Sequence, residues 1–253
     1  MIAHEEILFG ARKHPFLLLI PVLNEGERLR AQLMRIHALG ADVDVAITDG
    51  GSDDGALEPG FLQSVGVRAV LVKRAAGRLG TQLRIGYEWA LAQGYLGVIT
   101  VDGNGKDDVT AIASFVVQLT AGFDFIQGSR YAPGGRAINT PLDRALALKW
   151  IHAPLVSWRA GFRFSDTTNG FRAVSAALLR DPRVQPLRAV FTGYALLFYL
   201  AVRAGQLGFK ICEIGVTRAY PAHGPTPTKI LGIAPKLKLL GELIEVLRGR
   251  FDP

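Results

Sequence analysis

The chain has one cysteine, Cys212, in 253 residues. That excludes a disulfide framework and a cysteine-ligated zinc site, and it fits a reducing, cytoplasmic setting. The pattern around it predicts a core thiol. Long apolar runs are also missing. The longest, residues 16–23 and 194–202, fall well short of the roughly 20 residues that a membrane-crossing helix needs. The start, MIAHEEILFGARKHP, puts acidic residues where a secretory leader carries basic ones, so no leader is expected. No G-x-G-x-x-G, Walker loop or G-x-S-x-G elbow occurs, which argues against a dinucleotide-dependent oxidoreductase, a P-loop enzyme and a serine hydrolase. The five histidines show no metal-ligand spacing, and His223 reads as an exposed loop residue. With no repeat or low-complexity block, collagen, coiled coil and disordered tail are excluded.

Hydrophobic residues make up 49% of the chain, enough for a sizeable core at this length. Lys plus Arg is 29 and Asp plus Glu 22, a formal charge of +7. A basic surface suits nucleic acid, anionic lipid or phosphate-bearing substrates. The basic residues are scattered and not interleaved with aromatics, so no nucleic-acid partner is expected.

Strand and helix patterns alternate. Strands are predicted at 16–22, 43–48, 67–72, 96–101 and 123–128, and helices at 25–39 (ending at Gly40), 57–65, 78–93 and from Asp107 or Asp108 to Gly122. This is an α/β pattern with a mostly parallel central sheet and helices on both faces. Beyond residue 130 the spacing predicts a loop (131–141), a helix (142–160), an irregular segment (166–172), a helix (193–205), a strand (209–217), a second long loop (218–228) and a helix (235–248). No composition shift marks a boundary, so one domain spanning 1–253 is expected.

Ligands in such sheets bind beyond the carboxyl ends of the strands. Asn24, Glu25, Asp49, Asp102, Ser129 and Arg130 all fall there. In ITDGGSDDGA (47–56) a strand-end carboxylate precedes glycines that let a ligand approach the backbone, or the segment is an Asx turn. In VDGNGKDD (101–108), Asp102 followed two residues later by Asn104 is a candidate oxygen-ligand pair for Mg²⁺ or Mn²⁺, Asn104 being the weaker, neutral donor. Asp107 and Asp108 read as helix caps rather than ligands. Arg130, Arg136, Arg172 and Lys229, in or beside loops, suit a diphosphate and a second anion.

The motifs IPVLNE (20–25), DGGSDDG (49–55), VDGN (101–104), GSRYAPGG (128–135), DTTNGFR (166–172) and EIGV (213–216), in this order, resemble the family 2 glycosyltransferases of the GT-A fold. Within them the chain looks most like the dolichyl- or polyprenyl-phosphate sugar synthases. The resemblance implies a Rossmann-like nucleotide-diphospho-sugar transferase fold, a nucleotide-diphosphate sugar donor and inversion at the anomeric carbon. It places Pro21, Asn24, Glu25, Asp49 and Gly51 at the nucleotide, Asp102 at the metal, Arg130 and Arg172 at phosphates, and Lys229 near the diphosphate. The chain departs from the pattern at Asn104, where the family has a second Asp. It departs again at Phe198 and Tyr199, in a helix that usually carries a Glu.

If the acceptor is a lipid phosphate, it is already an anion and needs cations rather than a base. If it is a sugar hydroxyl, a carboxylate base is needed, and Asp166 is nearest. A third reading is a nucleotide-sugar-binding subunit without turnover. Residues 230–253 form an amphipathic segment with two readings: a peripheral contact with the inner face of the membrane, or packing on the chain's own domain or a second copy.

Overall fold

The computed structural model describes residues 1–222 and 233–253. Ten strands are found among them: β1 (His4–Leu8), β2 (Phe16–Val22), β3 (Asp44–Asp49), β4 (Val67–Lys73), β5 (Gly97–Thr100), β6 (Phe125–Ser129), β7 (Arg136–Ile138), β8 (Arg172–Ser175), β9 (Ile211–Gly215) and β10 (Thr217–Ala219). The helices are α1 (Gly26–Leu39), α2 (Pro59–Ser64), α3 (Leu79–Ala92), α4 (Ile112–Thr120), α5 (Leu142–Ala147), α6 (Ala153–Ala160), α7 (Ala176–Arg180), α8 (Ala195–Gln206) and α9 (Ile233–Leu247).

Eight strands form one sheet in the order β1-β4-β3-β2-β5-β8-β6-β9, and β7 pairs with β10 in a small parallel sheet. The run FLLLIPV is apolar throughout because β2 is central and covered on both faces. Leu17 and Leu19 enter a core shared with α3, α6 and α8, whereas Leu18, Ile20 and Val22 enter a second core with α1 and α4. Helix ends follow local chemistry. Glu58 accepts from the Gly60 and Phe61 amides at the start of α2, and Gly40 stops α1 in the left-handed region (φ 56°) that glycine adopts without strain.

Four features depart from the expectations. β1 is a charged edge strand, HEEIL, antiparallel to β4, and it had no apolar signature. β8, antiparallel between β5 and β6, is a strand the pattern did not predict, in a sheet that is mostly parallel as expected. The predicted strand 209–217 is β9, broken at Val216, and the loop 131–141 contains β7. The predicted helix 142–160 is continuous but carries a π-helical turn at Leu148–His152 between α5 and α6.

β2 is flanked by β3 on one side and β5 on the other, both parallel to it. The chain runs outward in opposite directions from this position, which opens a crevice at the carboxyl ends of the strands.

Candidate functional site

On the β3 side of the crevice, Asp49 accepts hydrogen bonds from the Ser52 amide (3.0 Å) and hydroxyl (2.6 Å). Ser52 in turn receives the Asn24 amide at 3.0 Å, and the Asn24 side chain accepts from the Asp53 amide at 2.9 Å. Asn24 holds φ 49°, a conformation asparagine tolerates better than most residues. Gln82 of α3 donates to the carbonyls of Val22 and Thr48, both at 2.7 Å, and so ties the ends of β2 and β3 together. A cleft of about 380 Å³ opens beside Asp49, lined by Gly51, Ser52, Leu57, Pro59, Ile7 and Phe9 among others. An apolar wall with a carboxylate and exposed backbone at one end suits a nucleoside.

On the β5 side, Asp102 leaves the strand at the mouth of the crevice. Its Oδ2 accepts from Arg218 Nη2 at 2.8 Å and from the Asn104 amide at 3.3 Å. Gln32 of α1 donates to the Asp102 carbonyl (3.0 Å) and accepts from the Gly105 amide (2.9 Å), fixing the 102–105 turn. Arg218 also pairs with Asp107 and reaches Asn169 Oδ1 at 3.1 Å. Burial would raise the Asp102 carboxyl, but Arg218, Lys106 and the Asn104 amide outweigh it and hold it below the usual carboxylate range. Asp107 is fully buried, and for it burial wins over Arg218, so its pKa is raised.

Basic groups gather around the Tyr220 ring. Lys106 Nζ lies 5.0 Å from the ring centroid, and the guanidinium carbons of Arg144 and Arg218 lie at 5.7 and 6.0 Å. Burial raises the Tyr220 phenol, yet Arg218, Arg144, Lys106 and Arg130 bring it below its ordinary value, which records a strongly positive pocket. Burial, with Arg218 beside it, pulls the Lys106 ammonium down to about 8. Such a concentration of positive charge suits a phosphate-bearing ligand.

No protein-family model matches the chain. A polyprenol monophosphomannose synthase of Mycolicibacterium smegmatis is 28% identical over 204 residues, covering 79% of this chain and 76% of that protein. An undecaprenyl-phosphate mannosyltransferase of Micrococcus luteus is 27% identical over 203 residues, covering 79% and 82%. The crystal structure of glucosyl-3-phosphoglycerate synthase from Mycobacterium tuberculosis with uridine diphosphate superposes with a TM-score of 0.64 at 17% identity, over 92% of this chain and 80% of that one. The chain has the GT-A glycosyltransferase fold. A further structure of the M. tuberculosis enzyme, with Mn²⁺, uridine diphosphate and glucosyl-3-phosphoglycerate, superposes with a TM-score of 0.62 at 18% identity, over 93% and 79%.

The fold brings Asp49, Gly51, Asn24, Asp102, Asn104 and Arg130 to the crevice ends of the strands. Pro21 is half-buried within β2, and Glu25 pairs with Arg28 at 3.4 Å. Three expectations are corrected. Arg172 is 1% exposed inside β8 and donates to the Leu197 (2.7 Å) and Asn169 (2.6 Å) carbonyls. It supports the 166–172 segment from within, and burial without a carboxylate partner lowers it to about 10. Asp166 has no exposed surface, and both its oxygens hold Arg130, at 2.7 and 2.9 Å. Those oxygens also accept from the Arg130 and Thr168 amides and the Thr168 hydroxyl, so this buried carboxylate is saturated and is not available as a base. Asp108 caps the turn before α4 through the Thr110 amide, as expected, but Asp107 is the buried partner of Arg218 instead. Lys229 and His223 lie outside the described residues.

Arg218, Lys106, Arg144, Gln32 and Gln82 escaped the sequence reading. Arg218 had a usable signal, being the single charged residue in the stretch IGVTRAYPA. Arg130 spends Nε and Nη2 on Asp166, and Nη2 also on Thr168, which leaves Nη1 without a partner among the described residues.

For a divalent ion the donor set is small. No group of three His, Cys, Asp or Glu side chains suited to a metal occurs among the described residues. Asp102 is 28% exposed and supplies one carboxylate, and the Asn104 amide oxygen, 3.3 Å from the Lys106 amide, is the other donor at hand. This fits an ion that takes most of its ligands from diphosphate oxygens and water, as Mg²⁺ does. It does not fit a closed protein cage.

Proposed function

We propose that this glycosyltransferase moves a sugar from a nucleotide-diphosphate sugar to a polyprenyl-phosphate-type lipid, with inversion, acting from the cytoplasmic face while peripheral to the membrane. The observation that carries this reading is the pairing of carboxylates with arginines. Asp102 and Asp107 share Arg218, and Asp166 holds Arg130. Arg218 stabilises the ionised Asp102 and lowers its basicity, while Asp107 and Asp166 have no exposed surface, so none of the three is set to deprotonate a hydroxyl. A phosphate acceptor needs no such base. It needs positive groups that bring two anions together, and the Tyr220 pocket has them.

In this reading the nucleoside lies in the cleft beside Asp49, with Gly51 and Ser52 presenting backbone and hydroxyl. Arg218 and Lys106 neutralise the charge that builds on the leaving diphosphate, and Arg130 Nη1 and Arg144 orient the incoming phosphate. A divalent ion on the diphosphate would be held from the protein side by Asp102, with Asn104 as second donor, and would supply further charge neutralisation there. The matches to the two mannosyltransferases support the acceptor class, and the fold shared with a uridine-diphosphate-bound enzyme supports the donor class.

The test is nucleoside-diphosphate release from a panel of nucleotide sugars, with Mg²⁺ or Mn²⁺, against a detergent-dispersed short-chain polyprenyl phosphate and against free glycans. Release that depends on the lipid phosphate is expected. Release with hydroxyl acceptors and none with the lipid phosphate overturns the reading.

A further inference from the structure

The segment 142–160 shows an inverted surface. A surface helix ordinarily turns polar residues outward. Here the exposed positions include Leu142 (80%), Leu146 (56%), Trp150 (68%), Ile151, Leu155 and Trp158 (75%). Two of the chain's three tryptophans are on this face, and the third, Trp89, is buried. The π-helical turn at Leu148–His152 contributes to the breadth of the face, because Lys149, Trp150 and Ile151 are exposed in succession while Leu148 and His152 point inward.

We propose that the outward face of α5–α6 docks on an anionic lipid bilayer and holds the crevice at its surface; this rests on the lipid-phosphate reading above. Charge selects the occupant. From Arg136 to Arg163 the chain carries five Lys or Arg against one acid, Asp143, and Asp143 is already paired with Lys236 of α9 at 2.6 Å. Two copies of so cationic a rim repel each other, whereas anionic headgroups attract it. Exposed tryptophan beside cationic residues is the composition of a membrane–water interface. The face also adjoins the site. Arg144 reaches the Tyr220 hydroxyl at 3.5 Å, the Asn139 amide donates to the Tyr220 carbonyl at 3.2 Å, and β7, just before α5, pairs with the strand that carries Arg218. A phosphate at the end of a bilayer lipid thus has a short path into the pocket.

For residues 230–253 the sequence left two readings, membrane contact or packing on the chain's own domain or a second copy. Among the described residues of that segment, Leu243 and Val246 are buried, and Glu242 accepts from the Tyr194 and Ala195 amides at the start of α8. This part of α9 is occupied by its own chain.

The experiment uses the full chain with vesicles of phosphatidylcholine, with and without phosphatidylglycerol, in sedimentation, and with brominated lipid in fluorescence quenching. Quenching of Trp150 and Trp158 in the anionic vesicles only is expected. The double variant Trp150→Ser/Trp158→Ser should bind those vesicles about tenfold or more weakly while keeping its unfolding temperature and its turnover on a detergent-dispersed short-chain acceptor. Unquenched tryptophans, or unchanged vesicle binding by the double variant, overturn the docking surface. A lipid-free dimer that the same substitutions dissolve assigns the face to a second copy and overturns it too. Turnover on the dispersed acceptor reports separately on the proposed function, so the two readings fail independently.

Discussion

Arg218 and Asp102 lie 116 residues apart in sequence and 2.8 Å apart in space, and the same guanidinium holds Asp107. Asp102 is 28% exposed at the crevice, while Asp107 has no exposed surface. One arginine therefore joins a carboxylate open to the crevice to one that is sealed from it. The fold can lose the first far more easily than the second.

Asp107→Ala should destabilise the protein by about 3–5 kcal/mol, the usual result of removing one partner from a buried ion pair. Asp102→Ala should unfold close to the parent in urea but lose about a hundredfold or more in nucleotide release. Urea titration and a release assay on both variants separate the two roles. An Asp107→Ala protein as stable as the parent, or an Asp102→Ala protein with normal turnover, removes this division.

Asp166 is expected to act as the counter-ion of Arg130. Glu213 fixes it from behind by accepting from the Ser165 hydroxyl (2.7 Å) and the Asp166 amide (3.1 Å). Asp166→Asn keeps the shape and removes the charge. A counter-ion loses stability first, so the melting temperature should fall together with activity. Parent-like melting with turnover abolished would return Asp166 to the role of base.

The sequence made the sheet strands legible because β2, β3 and β4 are covered on both sides and read as apolar runs bounded by Gly, Asp or Asn. It hid β1 and β8 for opposite reasons. HEEIL is an exposed edge with no apolar face, and β8 begins inside the polar segment DTTNGFR, where Arg172 is buried by neighbours distant in sequence. The strand-end acids Asp49 and Asp102 were readable because a parallel sheet delivers the carboxyl ends of its strands to one edge. Which arginine meets them was not. Arg172 stands in the DTTNGFR motif but faces inward, whereas Arg218 reaches Asp102 only because β9 returns to the sheet beside β6 and β10, paired with β7, follows it at that height. The exposed apolar face of α5–α6 escaped because an inward and an outward apolar stripe look alike until packing decides between them.

Cys212 gives a pH prediction. Burial, then the neighbouring Glu213 carboxylate, pushes its thiol up from 9.0 to about 11. Between these values the folded chain keeps a proton that the unfolded chain has released. This contribution to stability is complete below pH 9 and is lost as the pH rises toward 11. At about pH 8 the folded thiol should react with iodoacetamide about a hundredfold more slowly than the urea-unfolded thiol, as the thiolate fraction dictates. Equal rates in the two states would contradict the assigned environment.

Gly170 tests how closely Asp102 must be placed. Its backbone is outside the left-handed region, so alanine is conformationally acceptable there. A Cβ at Gly170 would come within 2.5 Å of Asp102 Oδ1 and force the carboxylate aside. Gly10→Ala is the control, since nothing lies within 4 Å of a Cβ at Gly10. Gly170→Ala should lower nucleotide release by about tenfold or more, because small displacements of a positioned group are costly, and it should shift the urea midpoint far less than Asp107→Ala does. If both glycine variants turn over like the parent, Asp102 tolerates displacement and its place in the site is wrong. If Gly170→Ala unfolds instead, the 166–172 segment is held mainly by packing, and Asp102 must be tested by its own substitution.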